Sequence, residues 1–335
     1  MNKKTKKILI TGGAGFVGLH LARELLLRKK GRVIILDNFF RGPKDQDLRN
    51  LMLKFPKTLE LVETDLSRPD FPQIPADQIY HLAAINGTRY FYERPQEIIR
   101  ANILASINIL DRYKDSGAKI VYSSSCETYA ALPASLNGIP TPETCAVGFT
   151  NIGNPRWSYG FSKLAGEFLL INYAKKFPIK YSIVRLHNIY GPRMGYEHVI
   201  SGFFKRILDR EKPFRVKNSN DTRSFCYVSD CVKGLIAVMD SNKANGEIFN
   251  IGNPVEIKIG DLARRMLQLF AGWRGKELDQ NIILGEKEDV GSADRRCPDI
   301  TKIKTALGYR NRVMLDEGLQ KTFDWYKKHY GQKTT

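Results

Sequence analysis

The run Ile8-Leu9-Ile10-Thr11-Gly12-Gly13-Ala14-Gly15-Phe16-Val17-Gly18 leaves this chain few folds to choose from. Ile8 to Ile10 has the length and β-branched content of a short buried strand. Glycines follow at 12, 13, 15 and 18, and Leu19 to Leu27 then takes on helical periodicity. A strand, a glycine turn and a helix start bring backbone N–H groups and the positive end of a helix dipole to one place, where a pyrophosphate is welcome. Gly12, Gly15, Phe16 and Val17 are the expected contacts. The next apolar strand, Val33 to Leu36, closes on Asp37-Asn38, 19 residues beyond Gly18, the distance at which a carboxylate meets the adenosine ribose hydroxyls. The stretch reads as a dinucleotide site.

Strand and helix patterns alternate through the first half of the chain. Asp45 to Phe55 reads as helix, Thr58 to Glu63 as a strand ending near Asp65-Leu66, and Gln78 to Ala84 as a strand running into the small residues Leu82-Ala83-Ala84. Pro95 opens a long helix to Tyr113 that carries Asn102, and Lys119 to Tyr122 is a strand ending in Ser123-Ser124-Ser125. This alternation predicts an α/β fold with a doubly wound parallel sheet. Ligands of such sheets gather at the carboxyl ends of the strands, where Asp37, Asp65, Leu66, Leu82, Ala83, Ala84 and Ser125 all fall. Leu132 to Arg156 is rich in Pro, Gly, Asn and Thr and reads as a loop over the site. Helix returns over Trp157 to Phe177, and a strand over Tyr181 to Arg185. Beyond residue 190 the alternation loosens, so residues 1–190 are expected to form the dinucleotide domain. Residues 191–335 then form a smaller α/β substrate domain, with some segments returning to the first.

With 335 residues, 42% of them hydrophobic and 26% charged, the chain has the composition of a soluble globular protein. No apolar run approaches the ~20 residues that span a bilayer, and the basic N-terminus leads straight into strand residues, so the expected location is the cytoplasm. Five cysteines without C-x-x-C spacing argue against a disulfide framework, and no His/Cys cluster suggests a metal. The net charge of +18 is spread along the whole length. It suits a basic surface or a cleft for diphosphates better than a nucleic-acid tract.

Tyr159 and Lys163 stand four apart, on one face of a helix. A phenol titrates near pH ~10 in water; a nearby ammonium and a positive nicotinamide ring stabilise its phenolate and make it a base. Ser125, at the end of its strand, is placed to hydrogen-bond a reacting hydroxyl and turn it towards Tyr159.

Together these motifs resemble the extended short-chain dehydrogenase/reductases of the nucleotide-sugar epimerase/dehydratase family. The likeness runs through Thr11 to Gly18, His81 to Ala84, Ser123 to Ser125, Tyr159 to Lys163, Tyr190 to Arg193, Thr222 to Val228 and Arg296 to Ile300. It implies a Rossmann domain, a tightly held NAD and a nucleoside-diphosphate sugar as substrate, with neither nucleic acid nor membrane as partner. It further implies oxidation at sugar C4 with Tyr159 as base, and Lys163 on the nicotinamide ribose. Asn188, Arg223 and Arg296 match positions that hold the substrate, and the polar Asn86 bears on the sugar. Asp37 favours NAD over NADP by repelling a 2′-phosphate. Subunits of the family pair through two long helices, here Pro95 to Tyr113 and Trp157 to Phe177, which implies a homodimer. The leading expectation is a 4-epimerase. UDP-glucuronate decarboxylase and 4,6-dehydratase are the alternatives, and a non-catalytic NAD-binding regulator or a nucleic-acid binder are the distant ones. Ser125-Cys126-Glu127 bears on that choice, because Glu127 suits a decarboxylase or dehydratase, whereas Cys126 stands where many dehydratases carry aspartate. Glu127 is either catalytic or a structural hydrogen-bonding residue.

Overall fold

Seven parallel strands carry the fold. In chain order they begin with β1 (Lys7–Thr11), β2 (Arg32–Asp37), β3 (Leu59–Glu63), β4 (Gln78–His81), β5 (Lys119–Ser125) and β6 (Lys180–Leu186), and the strand Ile248–Ile251 completes them. Their spatial order is Ile248–Ile251, β6, β5, β4, β1, β2, β3. The topological switch lies between β1 and β4, so the glycine turn after β1 opens at the crevice of the sheet. The computed structural model describes residues 5–41, 44–129, 138–149, 151–270, 272, 282–286 and 293–329.

Burial on both faces explains the apolar runs. Along β1, Ile8 and Ile10 enter one core while Leu9 enters the other, all three fully buried. On the first face lie α1 (Phe16–Leu27), α2 (Gln46–Lys54) and the helix Val228–Asp240. On the second lie α4 (Pro95–Tyr113) and the helix Ser158–Lys176, packed on each other. The expected boundaries of these elements hold to within a residue or two, except that α1 begins at Phe16, three residues before Leu19. Asp45 itself is the N-cap of α2, accepting from the Leu48 amide at 3.0 Å.

Two expectations need adjustment. The fourth strand ends at His81, not Ala84. Thr11 Oγ1 accepts from the amides of Leu82 and Ala83, each at 3.1 Å, which draws that backbone off the ladder and across the glycine turn. The helix α3 (Thr88–Glu93) also interrupts what reads as a connection.

Beyond residue 190 the chain serves both halves. Val228–Asp240 and Ile248–Ile251 belong to the sheet layer. Val199–Leu208, Ile259–Phe270 and Leu315–His329 pack with one another, with Phe204 against Phe270 and Phe323. Short ladders, Phe214–Val216 with Ile282–Leu284 and Thr222–Ser224 with Glu256–Lys258 and Arg295–Arg296, bring Arg223 and Arg296 side by side. Of the long loop expected over 132–156, residues 132–137 and 150 lie outside the described residues. Its described part is pinned: Thr141 bridges Pro298, and Glu143 accepts from the Asn250 amide at 2.8 Å.

Candidate active site

The glycine turn is held by its own backbone and by close contacts. Gly12 N donates to Leu36 O at 2.8 Å. Gly12 has φ +67°, and a Cβ there would lie 2.8 Å from the Ala83 Cα and N. A Cβ on Gly18 would lie 2.3 Å from Gly12 O, so the helix can approach the turn only without one. Arg193, from the Gly191-Pro192-Arg193 segment, reaches back to the turn and donates to the carbonyls of Ala14 (2.6 Å) and Gly15 (3.0 Å).

No side chain caps α1 at Gly15, so the first-turn amides, Phe16 and Val17 among them, are left for a ligand in the cleft. Asp37 accepts from Ala14 N at 3.0 Å and Phe39 N at 2.8 Å. Burial pushes its pKa up, against the pull of those amide bonds.

A cleft of 540 Å³ runs from Asp37, Asn38, Asp65 and Leu66, over Gly12, Gly15, Phe16 and Val17, past Leu82, Ala83 and Ala84, to Ser125, Glu127, Tyr159 and Lys163. Every cofactor residue expected from the sequence lines it. A dinucleotide fits this site on three counts: an uncapped helix end, a glycine cradle that a Cβ would fill, and a buried ammonium. Lys163 Nζ makes no hydrogen bond to any described residue, and burial lowers its pKa to about 7 although Glu167 opposes the shift. Asn102 lines the cleft with its amide fully engaged: Oδ1 accepts from Ile85 N at 2.7 Å, and Nδ2 donates to Ile85 O and Ser162 Oγ. It fixes the wall of the cleft.

At the reacting end, Ser125 and Tyr159 both line the cleft, and Tyr159 stacks on Phe91 with ring centroids 5.5 Å apart. Lys163 Nζ lies 5.9 Å from the Tyr159 ring centroid. The sequence leads one to expect a depressed Tyr159 pKa. The protein's own groups instead raise it, through burial first and then Glu127 and Cys126, with the Ser125 hydroxyl pulling the other way. Lys163 at that distance, itself shifted towards neutrality, does not offset this.

Glu127 is gripped rather than free. Arg296 Nη2 donates to Oε2 at 3.3 Å while Nη1 donates to Oε1, and Arg156 Nη2 stands 3.7 Å from Oε1. Burial favours the neutral acid, but Arg296 and then Arg156 outweigh it and hold the pKa below the ordinary 4.5. Glu127 is a carboxylate at neutral pH.

A second cleft of 220 Å³ opens from this point and shares Thr88, Glu127, Asn188, Ile189 and His198 with the first. Arg223, Arg296, Asn188, Lys217 and Asn218 line it. Arg223 donates to Thr222 O at 2.7 Å and pairs with Asp221; burial and then Arg296 lower its pKa to about 10. Three of the four expected substrate residues therefore meet in one cleft. Asn86 does not join them: it lines the dinucleotide cleft, where its Oδ1 accepts from Gly87 N. Sequence reasoning did not single out Phe91, Arg156, Glu197 or His198. The available signal was an arginine immediately before the Trp157–Phe177 pattern, inside a stretch read only as loop.

The profile of the NAD dependent epimerase/dehydratase family matches residues 8–252. This chain belongs to that family. Its members use NAD, and so does this enzyme. Among curated relatives, UDP-glucuronic acid decarboxylase 6 of Arabidopsis thaliana is 35% identical over 316 residues, covering 93% of this chain and 86% of that protein. UDP-glucuronic acid decarboxylase 1 of Xenopus tropicalis is also 35% identical, covering 97% and 73%. Among solved structures, UDP-glucuronic acid 4-epimerase from Bacillus cereus, in complex with UDP-glucuronic acid and NAD, superposes with a TM-score of 0.82 at 28% identity, covering 97% of this chain and 100% of that one. In this epimerase/dehydratase-family enzyme the two clefts are continuous, sharing Thr88, Glu127, Asn188, Ile189 and His198.

Proposed function

We propose that this enzyme is an NAD-dependent decarboxylase of a UDP-linked uronic acid. The observation that carries the reading is the buried guanidinium pair around Glu127. Arg156 Nε and Arg296 Nε are both buried without a hydrogen-bond acceptor among the described residues, a costly arrangement that an anionic sugar group at this end of the cleft relieves. The similarity to UDP-glucuronic acid decarboxylases over more than nine-tenths of the chain supports the same substrate.

NAD, bound along the glycine turn, Asp37 and Lys163, supplies a hydride acceptor for sugar C4. Tyr159 takes the proton of the 4-hydroxyl, which Ser125 orients; the positive charge of a bound nicotinamide would stabilise the phenolate against the burial that raises its pKa. A 4-ketone stands β to the C5 carboxylate, so the carbon–carbon bond to CO2 breaks with its electron pair delocalised into the ketone, and C5 then takes a proton; return of the hydride to C4, with the proton held by Tyr159 given back to O4, would yield the UDP-pentose and restore the oxidised cofactor. Glu127, held ionised, does not donate that proton; its charge keeps Arg296 and Arg156 in place. Arg223, Asn188 and Lys217 hold the nucleoside diphosphate, with Arg forks suited to phosphate oxygens.

Epimerisation at C4 through the same ketone is the second reading, favoured by the similarity to the Bacillus cereus UDP-glucuronic acid 4-epimerase. Incubation of the purified enzyme with UDP-glucuronic acid separates the two. Carbon dioxide release with a UDP-pentose product supports decarboxylation; an isobaric UDP-hexuronic acid product overturns it.

A homodimer through α4 and the Ser158–Lys176 helix accompanies this reading. Phe161 and Phe168 are exposed on the second of these, Phe168 at 61%. Light scattering at dimer mass, reduced to monomer mass by Phe168→Glu, is the expected result.

A further inference from the structure

An ion pair joins two segments that line the dinucleotide cleft. Arg41, which follows β2, lines the cleft and pairs with Glu197, whose neighbours Gly195 and His198 line it too, just before the helix Val199–Leu208. Arg41 Nη1 donates to Glu197 Oε2 at 2.8 Å and also to the carbonyl of Asn86. Its guanidinium lies 5.5 Å from the Tyr90 ring centroid. Both partners are only about a quarter exposed, 28% and 27%. Arg41, Asn86, Gly195 and His198 line the same cleft as Gly12, Asp37 and Tyr159.

Two glycines make room for this contact. A Cβ on Gly87, which has φ +133°, would fall 2.4 Å from Glu197 Oε2 and 2.7 Å from Arg41 Nη1; a Cβ on Gly195 would fall 3.2 Å from Arg41 Nη2. Carboxylate, carbonyl, ring and two side-chain-free positions thus converge on one guanidinium. An ordinary exposed pair has no such surroundings and contributes little. This one gathers three segments, 38–41, 86–90 and 195–198, on a single guanidinium, alongside the Phe40–Tyr90 ring contact at 5.7 Å and the Arg193–Asp45 pair.

We propose that Arg41 and Glu197 form a clasp that retains NAD in the cleft between turnovers. A reaction that withdraws a hydride and then returns it within one catalytic cycle gains from a cofactor that does not leave, and a bridge over the cleft slows departure. The clasp also accounts for Arg41 beside the adenosine end of the site: its charge is committed to Glu197 and Asn86, not offered to a 2′-phosphate. This inference rests on NAD binding alone and stands whichever sugar reaction the enzyme performs.

NAD carried through gel filtration is the readout, measured as nucleotide per protomer after denaturation, with the thermal unfolding midpoint as a check on folding. Purified wild type is expected to retain its NAD. Arg41→Ala, Glu197→Gln and Gly87→Ala are each expected to lose it at least tenfold faster. The exchanged pair Arg41→Glu with Glu197→Arg is expected to recover most of the retention. Single variants that fold and keep their NAD as wild type does overturn the clasp. Loss in Arg41→Ala without loss in Glu197→Gln, or failure of the exchanged pair to recover, also overturns it, because Arg41 then acts on the cofactor directly.

Discussion

Glu127 and Arg296 are 169 positions apart in the chain and meet along two oxygen–nitrogen edges, with side chains 14% and 9% exposed. The strand end after β5 and the edge ladder of the second half are joined at this pair, and the two clefts meet there. Removing one partner of a buried pair leaves the other charged and unsolvated.

Arg296→Ala is therefore expected to cost roughly 3 kcal/mol of stability, lessened by whatever Arg156 supplies, and to remove turnover. Urea unfolding of wild type and variant measures it. The pH dependence follows from the lowered pKa of Glu127: its contribution is present above the unfolded value near 4.5 and is lost as pH falls through the lower folded value. The stability gap between wild type and Glu127→Gln should be full at pH 6–7 and close only in acid below about 4.5. A gap that is constant across this range contradicts an ionised Glu127.

Tyr159→Phe keeps the Phe91 stack and removes only the hydroxyl. Turnover is expected to fall by about two to four orders of magnitude, with NAD content unchanged, as assayed by product formation and by nucleotide released on denaturation. A variant that retains most of its turnover places the base elsewhere.

Lys163 offers the opposite trade. Its folded pKa lies near 7, against 10.5 for a free lysine, so burying the ammonium costs stability. That cost is full below pH 7 and is relieved as pH rises towards 10.5. In NAD-depleted protein, Lys163→Met is expected to gain on the order of 2 kcal/mol at pH 7, with the gain shrinking at pH 10, while activity is lost. Thermal unfolding at the two pH values decides it; a destabilised variant at pH 7 shows that the ammonium is better satisfied than its surroundings imply.

The readable parts of the sequence were those whose pattern is local. Ile8 to Gly18 declares its turn because each glycine answers a steric demand a few residues away, and Pro95 to Tyr113 declares its helix through a proline start and one buried stripe. Thr88–Glu93 went unread because six residues are too few for periodicity. Thr222–Ser224 and Arg295–Arg296 are strands only through distant partners, each other and, for the first, Glu256–Lys258. The site divides in the same way. Ser125, Tyr159 and Lys163 announce themselves by spacing, but the grip of Arg156 and Arg296 on Glu127 is a product of tertiary placement. So is Asn86, whose side chain turns to its own loop rather than to the sugar.

Arg193 gives the last prediction. It lies three positions past Tyr190 and 179 positions from Ala14, yet it donates to the carbonyls of Ala14 and Gly15 and pairs with Asp45, the N-cap of α2, at 2.5 Å. Its side chain is 10% exposed. Those carbonyls belong to the turn whose amides face the cofactor, so the guanidinium sets the tilt of that peptide plane and ties the turn to both neighbouring helices. Arg193→Lys keeps the charge but has no planar fork to reach three acceptors at once. NAD affinity in Arg193→Lys is expected to drop about tenfold, and in Arg193→Ala about a hundredfold, by calorimetric titration of NAD-depleted protein. Under the proposed function, which places the nucleoside diphosphate in the other cleft, its affinity should move little in either. Equal losses for both ligands would mean that the substitution loosens the whole crevice rather than the glycine turn.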